Sequence, residues 1–392
     1  MLYKKNVEKS LKTELFKNPT SEFRGTPFWA LNSYLTKEEL CRQIDVFKEM
    51  GLGGFHLHVR TGLENEYLSE EYMELVKDTV VKAKSEEMLA WLYDEDRWPS
   101  GAAGGLVTKD EKYRSRCLFF TPFREEKHSG INDYWVNKKE NPIACYDIIL
   151  DSNGFLSSYK KIGENDEAEG TKWYAFLELA NPSSWYNGQT YLDTLSSAAV
   201  KKFVEITHEK YKDKVGDEFD KTIPAIFTDE PQFTRKAVLN NSFDKMNITM
   251  PWTDNVPELY KEMYGEDIFD TLPEIFWDKP DSAPSVHRYR YHDFIAELFA
   301  TSYPRFKSPK THALPVVFGK SATAGITTNA GNTLQTLKIS GKCLILDIFL
   351  LLFLKNFFPC VCAFVAQYFF YSSKKILVDT KAPPKKFDGR VG

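Results

Sequence analysis

The amino-acid sequence predicts an α/β fold: a partial (β/α)8 barrel of the TIM type with a β-rich insertion, followed by an unrelated hydrophobic tail. Short apolar runs alternate with longer segments of helical periodicity, which is the pattern of βαβ units and a parallel sheet. Four of these runs end in polar residues, as the strands of such barrels do at their carboxyl ends. The chain has 392 residues, 42% hydrophobic and 27% charged, which is enough to bury a large core.

Residues 23–112 are predicted to form the first βα units of the barrel, after an N-terminal extension at 1–22. Three apolar runs in this region have the length of strands, and two segments of helical periodicity separate them. In chain order these strand and helix segments are 26–32, 37–50, 53–63, 69–87 and 91–101.

The pattern changes at residues 113–180, where polar turns separate strand-like runs, and this predicts a β-rich insertion. The runs of the insertion lie at 117–123, 143–150 and 173–179. Residues 181–307 are predicted to resume the barrel with further βα units. The corresponding segments are a helix at 192–215, a strand run at 223–231 and a helix at 287–306.

The composition changes sharply at about Lys307, and residues 308–392 form an atypical tail. This tail holds eleven Lys or Arg and only three Asp, whereas the whole chain carries 51 basic and 55 acidic residues. Residues 343–371 are almost wholly apolar and exceed the roughly 20 residues that span a bilayer. One prediction is therefore a single membrane span at 343–371. The other is a non-native tail that replaces the rest of a larger protein.

Charge and cysteine content exclude several classes of protein. The net charge of -4 gives no indication of a nucleic-acid partner. The six Cys show no paired zinc spacing, so reduced thiols are expected. The first 25 residues carry charges throughout and lack the apolar region of a signal peptide, which predicts a cytoplasmic protein. A single-pass membrane protein, anchored through 343–371, is the alternative.

The candidate site residues follow the ends of the predicted strands. Aromatic residues make up 15% of the chain, including eight Trp, and aromatic side chains stack on the apolar faces of sugar rings. Carboxylates and an arginine accompany them, and polar groups at the carboxyl ends of parallel strands are where ligand and catalytic groups gather. The candidates are His58, Arg60, Asp94, Glu95, Trp98, Asp229 and Glu230.

Four motifs in this order resemble glycoside hydrolase family 106, the alpha-L-rhamnosidases, over about residues 23–307. The resemblance implies a (β/α)8 barrel with a β insertion, carbohydrate as the partner, and removal of terminal rhamnose or a related sugar with inversion. It also implies that calcium is associated with the site, although the sequence identifies no metal ligand set. The motifs are Pro27-Phe-Trp, Gly53-Gly-Phe with His58 to Leu63, Trp91-Leu-Tyr-Asp-Glu-Asp with Trp98-Pro-Ser-Gly, and Phe227-Thr-Asp-Glu-Pro.

By this resemblance Glu230 is the catalytic carboxylate, and the general acid of the reaction. Inversion requires a second carboxylate about 6.5–9.5 Å away. Asp229 is a weaker candidate, or a ligand for a hard cation. Asp94 and Glu95 are expected to bind sugar hydroxyls or to keep Glu230 protonated through their negative field.

The remaining candidates have both a functional and a structural interpretation. Trp98 is expected to stack on a sugar ring, and His58 and Arg60 to bind hydroxyls or orient an acid. The structural alternatives are that Asp229 caps a helix, Asp94 pairs with Arg97, Trp98 belongs to the core and His58 is buried and satisfied.

Two other functions stay open on the sequence alone. His56 and His58 lie on one face of a strand, an arrangement that metal-dependent amidohydrolase barrels use. No further His follows a predicted strand end, so ligands for such a metal are lacking. The second alternative is a truncated, inactive protein that binds sugar without cleaving it, because four predicted strands cannot close an eight-stranded barrel.

Overall fold

A computed structural model of the chain describes residues 10, 12–124, 141–280, 285–303 and 316–318. The strands in this part of the chain are β1 (Phe28–Leu31), β2 (Gly54–Val59), β3 (Leu89–Tyr93), β4 (Arg116–Thr121), β5 (Ala144–Leu150), β6 (Leu156–Ile162), β7 (Thr171–Leu179), β8 (Ile226–Thr228), β9 (Ile248–Trp252) and β10 (Val316–Phe318). The α-helices are α1 (Thr13–Lys17), α2 (Lys37–Glu49), α3 (Glu70–Ser85), α4 (Ser197–Ile206), α5 (His208–Val215), α6 (Val256–Tyr264), α7 (Ile268–Thr271) and α8 (Val286–Ser302).

Five of the described strands form a parallel sheet in the order β1, β2, β3, β8, β10. The order follows the chain, and helices connect successive strands, as in the wall of a βα barrel. The fold is therefore mixed α/β, as predicted. A closed barrel is not confirmed, because no pairing between the described strands joins β1 to β10.

The alternation along β2 explains how the parallel sheet is buried. Phe55, Leu57 and Val59 are at most 2% exposed and pack with the helices in one hydrophobic core. His56 and His58 lie on the opposite face, since side chains alternate along a strand. The sheet therefore has one apolar face covered by helices and one face that carries aromatic rings and imidazoles.

Side-chain caps fix where the helices around this sheet begin. The hydroxyl of Thr36 accepts the N–H of Glu39 at the start of α2, and Ser69 accepts that of Tyr72 at the start of α3. Each cap satisfies one of the N–H groups that a helix leaves unpaired at its N-terminus. The predicted segments 37–50 and 69–87 agree with these helices to within two residues.

The predicted helix at 192–215 is divided in the structure into α4 and α5. The break falls at Thr207, whose hydroxyl donates to the carbonyl oxygen of Phe203 at 2.7 Å. Such a bond competes with the helical backbone pattern. The break places His208 at the first position of α5, where it meets the end of β3.

The insertion forms an antiparallel sheet in the order β6, β5, β7, β4, β9. Three of its strands match the predicted runs. Strand β6 was not among the predicted runs, because it is polar and mostly exposed. Its exposed residues are Ser157, Ser158, Lys160 and Lys161. Its backbone pairs with β5 over six residues, so pairing rather than apolar patterning defines it.

Strand β9 belongs to this antiparallel sheet, whereas the sequence predicts barrel βα units across 181–307. It pairs antiparallel with β4, and Ile248, Met250 and Trp252 are at most 2% exposed. The sheet and helices α6 to α8 share a second hydrophobic core, which includes Tyr291 and Phe294. Much of residues 248–303 therefore covers the insertion rather than extending the parallel sheet.

The tail also departs from the prediction at one place. Residues 316–318 form β10, which pairs parallel with β8 and so continues the parallel sheet. Val-Val-Phe is a run with high strand propensity. The apolar segment 343–371 lies outside the described residues, so its membrane-spanning role and the cytoplasmic location stay predictions. None of the described helices has the length and apolar character that crossing a bilayer requires.

Phe294→Ala is expected to lower the free energy of unfolding by about 3–5 kcal/mol, because it leaves a cavity in the second core. Phe294 is fully buried in α8 against the antiparallel sheet. Tyr289→Ala in the same helix is the control, since Tyr289 is 69% exposed and its loss is expected to change stability by less than about 0.5 kcal/mol. Urea denaturation measures both. Equal effects of the two substitutions would contradict the packing of α8 described above.

Candidate functional site

The candidate site lies at the carboxyl ends of β2, β3 and β8. These strands are neighbours in the sheet and run in the same direction, so the residues that follow them meet at one edge. The structure brings the predicted side chains to this edge and divides them by exposure. The buried group is His58, Asp94 and Glu95, and the group that reaches solvent is Arg60, Trp98, Asp229 and Glu230.

Glu95 is buried and organises the loop that follows β3. Its carboxylate accepts four backbone N–H groups, from Asp96 at 2.9 Å, Gly101 at 2.8 Å, Ala103 at 2.8 Å and Gly104 at 2.6 Å. The side chain is surrounded by the loop, with 1% of the residue exposed. The loop therefore folds back around a single carboxylate.

The contacts of Glu95 differ from those that the sequence predicts. Both of its oxygens accept backbone N–H groups, which occupies the positions that sugar hydroxyls would take. Burial raises the pKa of Glu95, and the four N–H bonds oppose this rise because they favour the charged carboxylate. Gly104 has a φ of +62°, a conformation that disfavours a side chain, so glycine suits the tightest point of the loop.

Asp94 is fully buried and joins three separate parts of the chain. Its carboxylate accepts the hydroxyl protons of Ser100, at 2.6 Å, and of Thr228 at the end of β8. The imidazole Nε2 of His208 lies 3.0 Å from its second oxygen. These contacts tie the loop, β8 and α5 together, so the structure surrounds Asp94 with protein groups rather than with the open pocket.

Ser100 connects this buried network to the acidic pair at the end of β8. Its Oγ accepts the backbone N–H of Asp229 at 2.8 Å, and its own N–H donates to the carbonyl oxygen of Asp229 at 2.8 Å. Its carbonyl oxygen accepts the hydroxyls of Tyr191 and Tyr303. The sequence did not single out Ser100, because its partner at the end of β8 lies 129 residues away along the chain.

Glu230 is half-buried at the rim of the site, and its carboxylate is held by an aromatic side chain. Trp98 Nε1 donates to Glu230 Oε2 at 3.0 Å. The φ of Glu230 is +44°, just before Pro231. A non-glycine residue in this region costs about 1–3 kcal/mol, and such strain clusters where a side chain must be aimed precisely.

Asp229 points to the other side, toward the face of the sheet opposite the helices. Its Oδ2 accepts the hydroxyl of Tyr93 at 3.4 Å. Burial raises the pKa of Asp229 to about 6, with the charge of Glu230 adding to the rise and that of Arg60 opposing it. Asp229 and Glu230 thus have different surroundings although they are neighbours in the chain. The contacts of Asp229 do not support its interpretation as a helix cap.

His58 and Arg60 lie beside Asp229 on the same face. The His58 ring is stacked on Phe28 with centroids 4.7 Å apart, and its centroid is 4.1 Å from that of Tyr93. Its Nε2 lies 3.4 Å from Nη1 of Arg60. Burial, with smaller effects of the Arg60 and His56 charges, lowers the pKa of His58 to about 4. His58 is therefore neutral at physiological pH.

The face of the parallel sheet opposite the helices carries an aromatic cluster around these residues. Phe28 contacts both His56 and His58, and His56 stacks on Trp91 with ring centroids 5.0 Å apart. Phe28 is 56% exposed, although the interior of a closed barrel is a packed core. The buried Nδ1 atoms of His56 and His58 have no hydrogen-bond partner among the described residues.

A metal centre built from carboxylate, imidazole or thiolate side chains is not found among the described residues. No group of three or more His, Cys, Asp or Glu side chains in this part of the chain could hold a metal ion. The oxygens of Asp94 and Glu95 already accept N–H or O–H groups, and Ca²⁺ takes six to eight oxygen ligands. His56 and His58 lie on one face, as predicted, without a third ligand of these types in the described chain.

No protein-family model matches the chain, and no curated protein matches it. Among solved structures, the chain is similar to a rhamnosidase from Novosphingobium sp. PP1Y, with 13% sequence identity and a TM-score of 0.49. The similarity covers 79% of this chain and 47% of that one, so the chain spans about half the length of that structure. At this identity and TM-score the similarity does not establish a shared activity.

Asp229→Asn is expected to change how stability depends on pH. The pKa of Asp229 is about 6 in the folded protein, against an ordinary value of 3.8. Between these values the folded protein holds a proton that the unfolded chain has lost, so its free energy of unfolding falls as the pH rises from about 4 to about 6. The variant lacks this contribution, and urea denaturation at several pH values should show a smaller fall.

Comparing the variant with the unmodified chain cancels the other groups that titrate in this range. Parallel pH dependences of the two proteins would contradict the raised pKa of Asp229.

Proposed function

We propose that the chain is a glycoside hydrolase-like protein that removes terminal rhamnose, or a related sugar, from glycans by an inverting two-carboxylate mechanism. The resemblance to family 106 supplies the sugar and the stereochemistry. The observation that carries the proposal is the surroundings of the Asp229–Glu230 pair. Asp229 faces the aromatic cluster through its contact with Tyr93, and Glu230 is held at the rim by the indole N–H of Trp98.

Glu230 is the general acid in this proposal. The indole N–H of Trp98 binds Oε2, which leaves Oε1 to carry the proton. A protonated carboxyl group can accept at one oxygen and donate from the other. Proton donation to the glycosidic oxygen would then release the leaving group, and the left-handed backbone at Glu230 fixes the direction in which the side chain points.

The terminal sugar is proposed to occupy the side of Asp229, Arg60 and His58. The carboxylate of Asp229, the guanidinium of Arg60 and the imidazole of His58 lie together there. The exposed ring of Phe28 is next to them. A site of this kind combines an apolar wall with a few polar groups that bind hydroxyls. By the resemblance the second carboxylate would come from a barrel strand later than β8. None of the described residues is assigned that role, and Asp229 is proposed to bind the sugar.

A sugar-binding protein without catalysis is the second candidate. The ring of Phe28, which is 56% exposed, favours it, because catalysis benefits from a site that excludes water. An amidohydrolase is not proposed, since the described chain presents no set of three metal ligands. Hydrolysis distinguishes the two remaining candidates.

Glu230→Gln is expected to reduce the hydrolysis of an aryl alpha-L-rhamnoside at least about 100-fold, because the amide cannot donate a proton to the leaving oxygen. The release of the aryl group measures the rate for the whole chain. Proton NMR of the first product shows the anomer, and the proposal expects the β-anomer of rhamnose from inversion. Glu258→Gln, at an exposed position in α6, is the control and should keep the full rate.

Hydrolysis that is unchanged in Glu230→Gln would contradict the assignment of the acid. If the unmodified chain binds rhamnose but releases no aryl group, the protein is the non-catalytic sugar binder instead.

A further inference from the structure

Among the tryptophans that the structure describes, two stand out by their exposure. Trp98 is 38% exposed and Trp185 is 42% exposed. Four other tryptophans in the described chain are at most 6% exposed: Trp29, Trp173, Trp252 and Trp277. A large aromatic side chain that stays in solvent beside a polar site is a typical binding group, because covering it gains the free energy of burying apolar area.

The two exposed tryptophans are joined to each other. Trp185 Nε1 donates to the carbonyl oxygen of Trp98 at 2.6 Å. The guanidinium of Arg97 lies 6.0 Å from the centroid of the Trp185 ring. We call Trp98 and Trp185 together the tryptophan platform. The sequence did not predict the role of Trp185, because 87 residues separate the two in the chain.

The turn that carries Trp185 is fixed to the loop after β3 by several hydrogen bonds. Asn187 Nδ2 donates to Asp96 Oδ2 at 3.0 Å and to the carbonyl oxygen of Gly104 at 3.0 Å. Arg97 Nη2 donates to Asn187 Oδ1 at 3.0 Å. The platform therefore has its shape before a ligand arrives, which reduces the ordering cost of binding.

A close backbone approach supports the same arrangement. At Gly105 a Cβ atom would lie 2.5 Å from the carbonyl oxygen of Tyr186, so any other residue there would displace the turn. Arg97 pairs with Asp96 at 3.0 Å, and not with Asp94 as the structural alternative had it. Polar groups thus border the aromatic surface, a combination that suits a hydroxyl-rich ligand better than a purely apolar one.

The position of the platform relative to Glu230 indicates which part of a ligand it meets. Trp98 binds the Glu230 carboxylate with the same indole that forms the platform. Asp229 lies on the opposite side, where Tyr93 and His58 are buried. Glu230 is therefore situated between the Asp229 side, where Tyr93 and His58 are buried, and an exposed aromatic surface.

We propose that the tryptophan platform binds the sugar unit to which the terminal sugar is attached. The ligand class is then a disaccharide or a longer oligosaccharide whose second ring packs on Trp185. This inference rests on the proposed function, since it takes the terminal sugar to occupy the Asp229 side. The general acid then lies at the junction between the two rings, where the leaving oxygen would be.

Binding of two probes to the whole chain tests the proposal: L-rhamnose and a rhamnosyl-glucose disaccharide, each measured by calorimetry. Trp185→Ala is expected to weaken disaccharide binding about tenfold, the factor that corresponds to one aromatic stacking contact. Rhamnose binding should not change. Trp185→Phe should restore most of the affinity, because a phenyl ring keeps the stacking face. Tyr289→Ala, which removes an exposed aromatic ring from α8, should affect neither ligand.

Each result decides the proposal. Unchanged disaccharide affinity in Trp185→Ala would overturn it, and so would an equal loss for both probes, which would mean that the substitution disturbs the terminal-sugar pocket. Selective loss of the disaccharide with no hydrolysis of an aryl rhamnoside by the unmodified chain would support the platform while the proposed activity fails. Hydrolysis without any preference for the disaccharide would overturn the platform alone. If neither probe binds, both proposals fail.

Discussion

The buried carboxylate of Glu95 is the interaction on which the site depends. It gathers four backbone N–H groups from the loop after β3, in an interior where leaving such donors unpaired costs about 1–3 kcal/mol each. The loop so fixed presents Ser100 to the backbone of Asp229 and Trp98 to the carboxylate of Glu230. One side chain thus sets the geometry of groups that belong to two different strands.

The sequence predicted that these side chains gather at the carboxyl ends of parallel strands, but it did not predict the contacts that each of them makes. Parallel strands bring their carboxyl ends together, so Asp94, Glu95 and Glu230 could be expected at one edge. Which acids are buried depends on how the loop after β3 folds back on itself. The alternation of side chains along β3 does not predict this. Ser100 and Trp185 act on partners far along the chain, so a local pattern could not identify them.

The fold also contains elements that local sequence patterns predicted and elements that depend on contacts far apart in the chain. Helices α2 and α3 have capping residues and an apolar stripe, and their positions followed from these signals. Strand β9 has an apolar pattern that fits either sheet, and its pairing with β4 is decided by packing across about 130 residues of chain. The polar strand β6 has almost no apolar pattern that would predict a strand. It is a strand because its backbone pairs with that of β5.

Hydrogen exchange at the backbone amide of Gly104 tests this account most directly. Gly104 lies in a loop, where amides usually exchange rapidly, yet its N–H donates to Glu95 Oε1 at 2.6 Å. If Glu95 organises the loop, the Gly104 amide is protected about as well as the amides in β3. This protection is lost in Glu95→Gln, where part of the acceptor becomes a donor. Rapid exchange of Gly104 in the unmodified chain, or equal protection in Glu95→Gln, would contradict the central role of Glu95.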